Sequence, residues 1–375
     1  MNQTRRHDID AVRALAFGLL ILYHVGMFYV SWGWHVKSGY PAPWLEPFMS
    51  FVNQWRMPLI FVVSGLAVHF MLRDGAALAP VLGKRLFRLG VPLLFGMAVV
   101  VPPQAYVEAL ANGAVAPGYG AFLLRYFGFA DWPDGAFAGS DIGITWNHLW
   151  YLPYLLLYTL VALPLLRLEP AARAVAWYRR QPLPLVLLLP VALLLPAGVW
   201  LFPRFPYISH DLATDFYAHA MYGTFFVAGF ALGRDGDLWT RLARGRYVLL
   251  GIAIVAYLGL RAVGDWQTET APERALQSFV VYLNRWCWIL TLLAFGYRLL
   301  NRPLTWLGYA NRAVYPWYVL HQTFTVVGGY WLGRLALGPV AEPVLLIDGE
   351  HIPAGRAHEF DRVGRAQNRP GVEKK

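Results

Sequence analysis

Arg13 and His24, both in the first apolar segment HDIDAVRALAFGLLILYHVGMFYV, are the residues whose types and spacing could do chemistry. Eleven residues at 3.6 per turn is about three full turns, which leaves the two side chains roughly 20° apart on one helical face. A neutral imidazole, with a reference pKa near 6.5, accepts a proton at neutral pH, while a guanidinium stays charged. Each ionisable group within an apolar span costs about 2.5 to 3.5 kcal/mol on insertion scales, so a helix holding two of them turns that face to a polar interior. The pair predicts a reaction site inside a membrane bundle, with His24 toward the outer end of its helix, where a base could meet a substrate. Arg13 could instead pair with Asp10 one turn earlier, an ordinary salt bridge.

Other candidates are weighed singly, because a lone histidine in a membrane helix is more often a structural donor than a catalyst. His148 and Trp150 lie in NHLWYLP at the mouth of a later span, and His321 lies in AVYPWYVLHQ. These three are candidate substrate contacts, and either histidine could equally bind a backbone carbonyl. His69 carries less weight, and the Asp215/His219 pair, spaced i to i+4, is either a proton relay or a buried structural bond. Arg85 and Arg88 follow Lys84 at i to i+3 spacing and could hold the phosphates of a cytosolic donor, or be plain loop charges. The single Cys287 excludes a disulfide framework and a thiolate metal cluster, and reads as a small core residue. No ligand spacing suggests a haem or metal site.

The elements that must position these residues are apolar helices. A chain of 375 residues that is 57% hydrophobic and 14% charged is an integral membrane protein. Segments long enough to cross a bilayer run near 11–30, 51–72, 87–105, 147–166, 183–202, 215–233, 247–263, 277–297 and 309–332. The expected fold is therefore all-α, a polytopic transmembrane helical bundle of about nine to ten spans. Arg5 and Arg6, then Arg73, Lys84, Arg85 and Arg88, then Arg167, Arg173, Arg179 and Arg180, then Arg234, Arg241, Arg244 and Arg246, then Arg298 and Arg302 fall in alternate connections. The intervening connections carry most of the acids, Glu46, Glu108, Asp131, Asp134, Asp141, Asp211, Asp265 and Glu269 among them. The positive-inside rule then puts the N-terminus in the cytoplasm, and the net charge of +10 is accounted for without nucleic acid.

The first segment lacks a small-residue cleavage site and reads as a retained helix. No solenoid repeat and no glycine-rich phosphate loop is visible. Prolines and glycines interrupt the spans at Pro58, Gly65, Pro92, Gly96, Pro153, Pro164, Pro190 and Pro196, as suits a bundle enclosing a cavity. The stretch 106–146 reads as a long outer loop. Its Tyr119, Tyr126, Phe127, Phe129 and Trp132, with Asp131, Asp134 and Asp141, offer the flat rings and carboxylates that a sugar surface meets. Residues 1–338 are expected to form one membrane-embedded domain. Residues 339–375 begin like a tenth span with PVAEPVLLI and then become a polar tail that cannot cross a bilayer.

DIDAVRALAFGLLILYH, RMPLIFVVSG (56–65), RLFR (85–88), NHLWYLP and AVYPWYVLHQ, in that order, resemble the acyltransferase 3 family of integral-membrane acyltransferases. The resemblance covers about residues 7–335 and is nearest to the branch that includes glucan succinyltransferases. It implies transfer of an acetyl or succinyl group from acyl-CoA, a co-substrate, to a hydroxyl of an extracytoplasmic glycan or glucan, by a multi-pass protein of the bacterial inner membrane. Carried over by motif, His24 is the essential histidine of the first helix and Arg13 its paired arginine. Arg85 and Arg88 become the basic pair near acyl-CoA. His24 would act as general base or as a transient acyl carrier. From another class, a transporter or flippase would also carry intramembrane Arg and His and broken helices.

Overall fold

Inside a bilayer a backbone has no hydrogen-bond partner but itself, and apolar runs of this length therefore become helices. In the computed structural model, which describes residues 6–72, 77–233, 235–264 and 266–349, no strand occurs among the described residues. The helices are α1 (His7–Tyr29), α2 (Glu46–Met71), α3 (Leu78–Phe95), α4 (Val101–Ala111), α5 (Tyr119–Phe127), α6 (Tyr151–Leu166), α7 (Glu169–Arg180), α8 (Leu183–Pro196), α9 (Phe216–Leu232), α10 (Gly236–Arg244), α11 (Arg246–Val263), α12 (Ala271–Leu300) and α13 (Leu307–Arg334). Of the residues used above to read the connections, Arg5, Arg73, Arg234 and Asp265 lie outside the described residues, as does the tail from 350.

Seven helical stretches among the described residues are long and apolar enough to cross a membrane: His7–Tyr29, Pro43–Met71, Leu78–Ala111, Asn147–Leu166, Leu183–Leu201, Arg246–Val263 and Ala271–Leu300. The two other expected spans are helices as well. α9 is apolar but has only 17 residues, and α13 has the length, at 28 residues, but carries His321, Gln322, Thr323 and Thr325 within it. Two of the basic connections are themselves short helices, α7 with Arg173, Arg179 and Arg180, and α10, whose N-terminus is capped by the Asp235 carboxylate accepting from the amides of Asp237 and Leu238.

The chain divides into two compact units, each discontinuous. The first comprises Met1–Gly18, Pro47–Phe95 and His148–Asn311. In it α2 and α9 cross with their backbones touching. A Cβ on Gly65 would overlap the carbonyl of Phe226, and one on Gly229 the carbonyl of Val62. Small residues at such a crossing are how membrane helices gain close packing. α12 packs on α8 and α11, and α3 on α6. Cys287 is fully buried, a core residue as expected.

The second unit comprises Leu19–Glu46, Gly96–Asn147 and Arg312–Lys375. Its core gathers Val25, Phe28, Val36, Val107, Val326 and Leu346. Lys37 folds back over the end of α1 and donates to the carbonyls of Met27 (2.6 Å), Val30 and Trp32 (3.0 Å), filling acceptors that the helix leaves open. Burial pulls its ammonium below the usual lysine range, with Glu46 opposing. The expected outer loop starts later than its sequence suggested, since α4 runs to Ala111 and buries Glu108 at 8% exposure. Some of its aromatics turn inward, while Tyr119 and Phe127 stay exposed. Phe122, Tyr126 and Phe137 form a small core with Ala105 and Ala109, and the Tyr126 hydroxyl accepts from the Thr145 amide. Phe129 stays exposed, as do Asp131, Asp134 and Asp141. Residues 338–349 are helical, so the expected tail from 339 begins as a helix. Its fully buried Glu342 accepts from the Ser38 hydroxyl at 2.5 Å.

Candidate active site

α1 is unbroken from His7 to Tyr29, so Arg13 and His24 keep their spacing along one helix. Arg13 belongs to the first unit and His24 to the second.

In the second unit the last turns of α1 bring His24 against His321 of α13, with Nδ1 of His24 2.7 Å from Nε2 of His321 and ring centroids 4.8 Å apart. His321 is 2% exposed, and its Nδ1 lies 2.8 Å from the carbonyl of Tyr318. A carbonyl can only accept, so His321 carries its proton on Nδ1 and, as a neutral ring, accepts at Nε2. His24 then donates from Nδ1, and its lone pair falls on Nε2. The chain of partners thus selects the tautomer in which His24 is basic at the nitrogen away from His321. The Trp34 ring lies nearly parallel to His24, at 13° and 6.3 Å.

A second polar network begins one residue along α13. Gln322 donates to Nε2 of His35 (2.9 Å) and to Oδ1 of Asn147 (2.7 Å). His35 in turn places Nδ1 2.6 Å from the Glu108 carboxylate. Gln104, one helical turn before Glu108 on α4, donates to Thr323 at 2.6 Å, and Thr323 donates to the Val100 carbonyl. Sequence reading passed over His35, Gln104, Asn147 and Gln322, and took Glu108 for an exposed loop acid. The signal that could have found them is the i to i+4 spacing of Gln104 and Glu108, which extends the third span beyond residue 105. Buried polar groups interlinked in this way hold one arrangement of α4 and α13, with only Nδ2 of Asn147 among the named members lacking a partner.

In the first unit Arg13 donates to Asp10 (3.2 Å) and to Asn311 (2.8 Å). The expected salt bridge is therefore present and shares the guanidinium with a second partner. Tyr151, at the start of α6, bonds Ser64 of α2 and packs against Phe17 and Phe61. It lies within electrostatic reach of both Arg85 and Arg13. Arg85 is half-buried on α3 and Arg88 exposed. His148 is buried in the tight turn Asn147–Trp150 that leads into α6. Trp150 stacks on His210, with centroids 4.2 Å and planes 19° apart. Burial in that stack pushes the His210 imidazole down to about 4.

The Asp215/His219 pair is not a direct relay. Asp215 accepts from the Tyr154 hydroxyl (3.0 Å) and the His210 amide (3.2 Å). His219 bonds the Tyr158 hydroxyl and the Leu212 carbonyl. His69 receives Arg179 at 3.2 Å. Among the described residues no group of three or more His, Cys, Asp or Glu could hold a metal ion.

A family model described as an acyltransferase domain, that of acyltransferase 3, matches residues 6–347. The chain is similar to Glucans biosynthesis protein C of Salmonella gallinarum, 25% identical over 347 residues that cover 88% of this chain and 84% of that protein. Its likeness to the protein of the same name in Escherichia coli is 24% over 346 residues, with the same coverage. No solved structure matches the chain.

Proposed function

The chain belongs to the acyltransferase 3 family, and on that premise we propose that it moves an acetyl or succinyl group from cytosolic acyl-CoA to a hydroxyl of an extracytoplasmic glucan. It is an acyltransferase with a multi-pass membrane architecture. The acceptor reading leans on its likeness to proteins named for glucan biosynthesis. The cytoplasmic side of the N-terminus leans on the alternation of basic connections, and the cytosolic donor and placement in the bacterial inner membrane lean on the likeness to the family.

The observation that carries the mechanism is the His24–His321 pair. The acceptor hydroxyl gives its proton to Nε2 of His24 as its oxygen attacks the thioester carbonyl carbon. The tetrahedral species collapses with cleavage of the carbon–sulfur bond, and the departing thiolate of coenzyme A takes the proton. Charge that develops on His24 is stabilised by its Nδ1–H bond to His321, since a hydrogen bond to an ionised donor is about twice as strong as a neutral one. His321 is thereby a positioning residue for His24 as well as a candidate substrate contact. Arg13 would be the paired arginine of α1, Arg85 and Arg88 would meet the phosphates of the donor, and His148 and Trp150 would border the acceptor.

The test is transfer of labelled acyl groups from acetyl-CoA and succinyl-CoA into envelope glucans by membranes bearing the chain, beside His24→Ala at matched expression. Transfer that vanishes in the variant supports the reading, and no transfer from either thioester by folded protein overturns it. Label that stays on the protein when no acceptor is present would replace general-base catalysis by an acyl-histidine intermediate.

A further inference from the structure

In the unit that holds His24, the Gln322 side chain is asked for more hydrogens than it has. Its amide nitrogen, on a residue 2% exposed, faces Oδ1 of Asn147 at 2.7 Å, Nε2 of His35 at 2.9 Å and Oε1 of Gln104 at 3.3 Å. A primary amide carries two hydrogens, so three acceptors compete for them. His35 has no other way to satisfy Nε2. Its Nδ1 lies 2.6 Å from the Glu108 carboxylate, which accepts, so the proton sits on Nδ1 and the lone pair on Nε2. Gln104 is fully buried, whereas the His35 side chain is 11% exposed and can meet a ligand.

A spare donor stands beside this under-served acceptor. Asn147 gives Oδ1 to Gln322, but its Nδ2 is buried with no partner. Its backbone, at φ 45°, occupies the left-handed region that asparagine tolerates, and its amide donates to Oγ1 of Thr145 at 3.0 Å. Asn147 Oδ1 and His35 Nε2 are both within hydrogen-bond distance of the same Gln322 nitrogen, so the two unmet needs are neighbours. Buried polar groups are ordinarily satisfied. A hydroxyl meets both needs with one oxygen, because it accepts and donates, whereas a carboxylate only accepts and an ammonium only donates. The place adjoins the reacting pair. His35 packs edge-on against Trp34 at 5.2 Å, the Trp34 ring lies nearly parallel to His24, and Gln322 follows His321 on α13.

We propose that Asn147 and His35 hold a hydroxyl of the acceptor other than the one that reacts. Nδ2 of Asn147 donates to its oxygen, and its hydrogen goes to Nε2 of His35, which Glu108 holds in the accepting tautomer. The ligand is a polyhydroxylated ring, and by gripping one hydroxyl the subsite sets which other one meets His24. The proposal rests on the acyl-transfer reading and adds to it a choice of position.

The experiment measures binding of methyl β-glucoside and its monodeoxy analogues to the purified full chain in lipid nanodiscs by saturation-transfer NMR. It compares wild type with Asn147→Asp and with the double variant His35→Phe, Glu108→Gln. Asn147→Asp keeps the acceptor for Gln322 and tolerates the left-handed backbone, and turns only the spare donor into an acceptor. The double variant keeps a ring against Trp34 and leaves no carboxylate without its donor. Wild type is expected to bind one monodeoxy analogue about tenfold more weakly than the parent, the effect of losing one hydrogen-bonded hydroxyl. Both variants bind the parent as weakly as wild type binds that analogue, and no longer tell the two apart. Equal binding of every analogue by wild type, or discrimination that survives in the variants that elute as folded protein, overturns the subsite and leaves these bonds to water. Absence of glucoside binding by folded wild type overturns it too. With labelled acyl-CoA, label is expected at one position of the glucoside in wild type and at several in Asn147→Asp, and the same single position in both overturns the choice of position. Binding does not depend on turnover, so a protein that discriminates the analogue yet transfers nothing sinks the acyltransferase mechanism while leaving the subsite standing.

Discussion

On the proposed mechanism His24 and His321 act as one unit, and their removal is expected to be non-additive. Loss of a general base costs about 10² to 10⁴ in rate, which is the fall expected in kcat for His24→Ala. His321→Ala removes the acceptor of the His24 Nδ1–H bond and is expected to cost roughly ten- to a hundredfold. In the double variant the second change should add almost nothing, because the bond that His321 contributes no longer exists. Independent, multiplying losses measured by initial rates would assign His321 a role of its own. His210 offers a test through pH. Its folded pKa of about 4 lies below the ordinary 6.5, so between those values the unfolded chain binds more protons and stability rises with pH. Acidification from pH 7 to 4.5 should therefore lower the thermal midpoint more in wild type than in His210→Gln, with an upper bound of about 3 kcal/mol. Equal pH slopes would show that the stack on Trp150 leaves the imidazole free to charge.

The α2–α9 crossing fixes the first unit, and it does so through two glycines. Gly65→Ala must push the helices apart against the Phe226 carbonyl, an overpacking that costs about 1 to 3 kcal/mol. Gly18→Ala on α1, where a Cβ meets nothing within 4 Å, is expected to be neutral or slightly stabilising. Thermal unfolding in detergent compares the two, and similar midpoints would mean that the crossing relaxes freely. Helix existence was legible in the sequence because apolar length alone dictates it, and all nine expected spans are helices. Helix ends were less legible. α4 continues past residue 105 because Glu108 finds His35, a partner 73 residues away that no local pattern announces. Arg13 and His24 could be read from spacing on one helix. The His24–His321 bond and the Gln322 network join segments far apart in sequence, and the inward turn of Tyr126 and Phe122 depends on Thr145 and Phe137. An aromatic in a loop looks the same on paper whether it faces a sugar or its own core.

For the whole molecule, the positive-inside rule applied to the basic connections proposes one orientation for every helix. If the N-terminus is cytoplasmic, the segment between α6 and α8, with Arg167, Arg173, Arg179 and Arg180, is also cytoplasmic, and the segment between α8 and α9 is external. The single native cysteine, Cys287, is fully buried, so one introduced thiol can be labelled against a silent background. Tyr207, 84% exposed between α8 and α9, and Arg173, whose side chain is 72% exposed on α7, are suitable positions. An impermeant maleimide applied to intact spheroplasts is expected to label Tyr207→Cys at once and Arg173→Cys only after permeabilisation. The reverse pattern would invert the bundle. Arg85 and Arg88, which follow the connection between α2 and α3, would then face the outside, where a cytosolic thioester could not reach them. Their assignment to the donor would fall together with the orientation. The His24–His321 pair would stand unchanged, because its geometry depends on α1 and α13 and not on which side of the membrane they start.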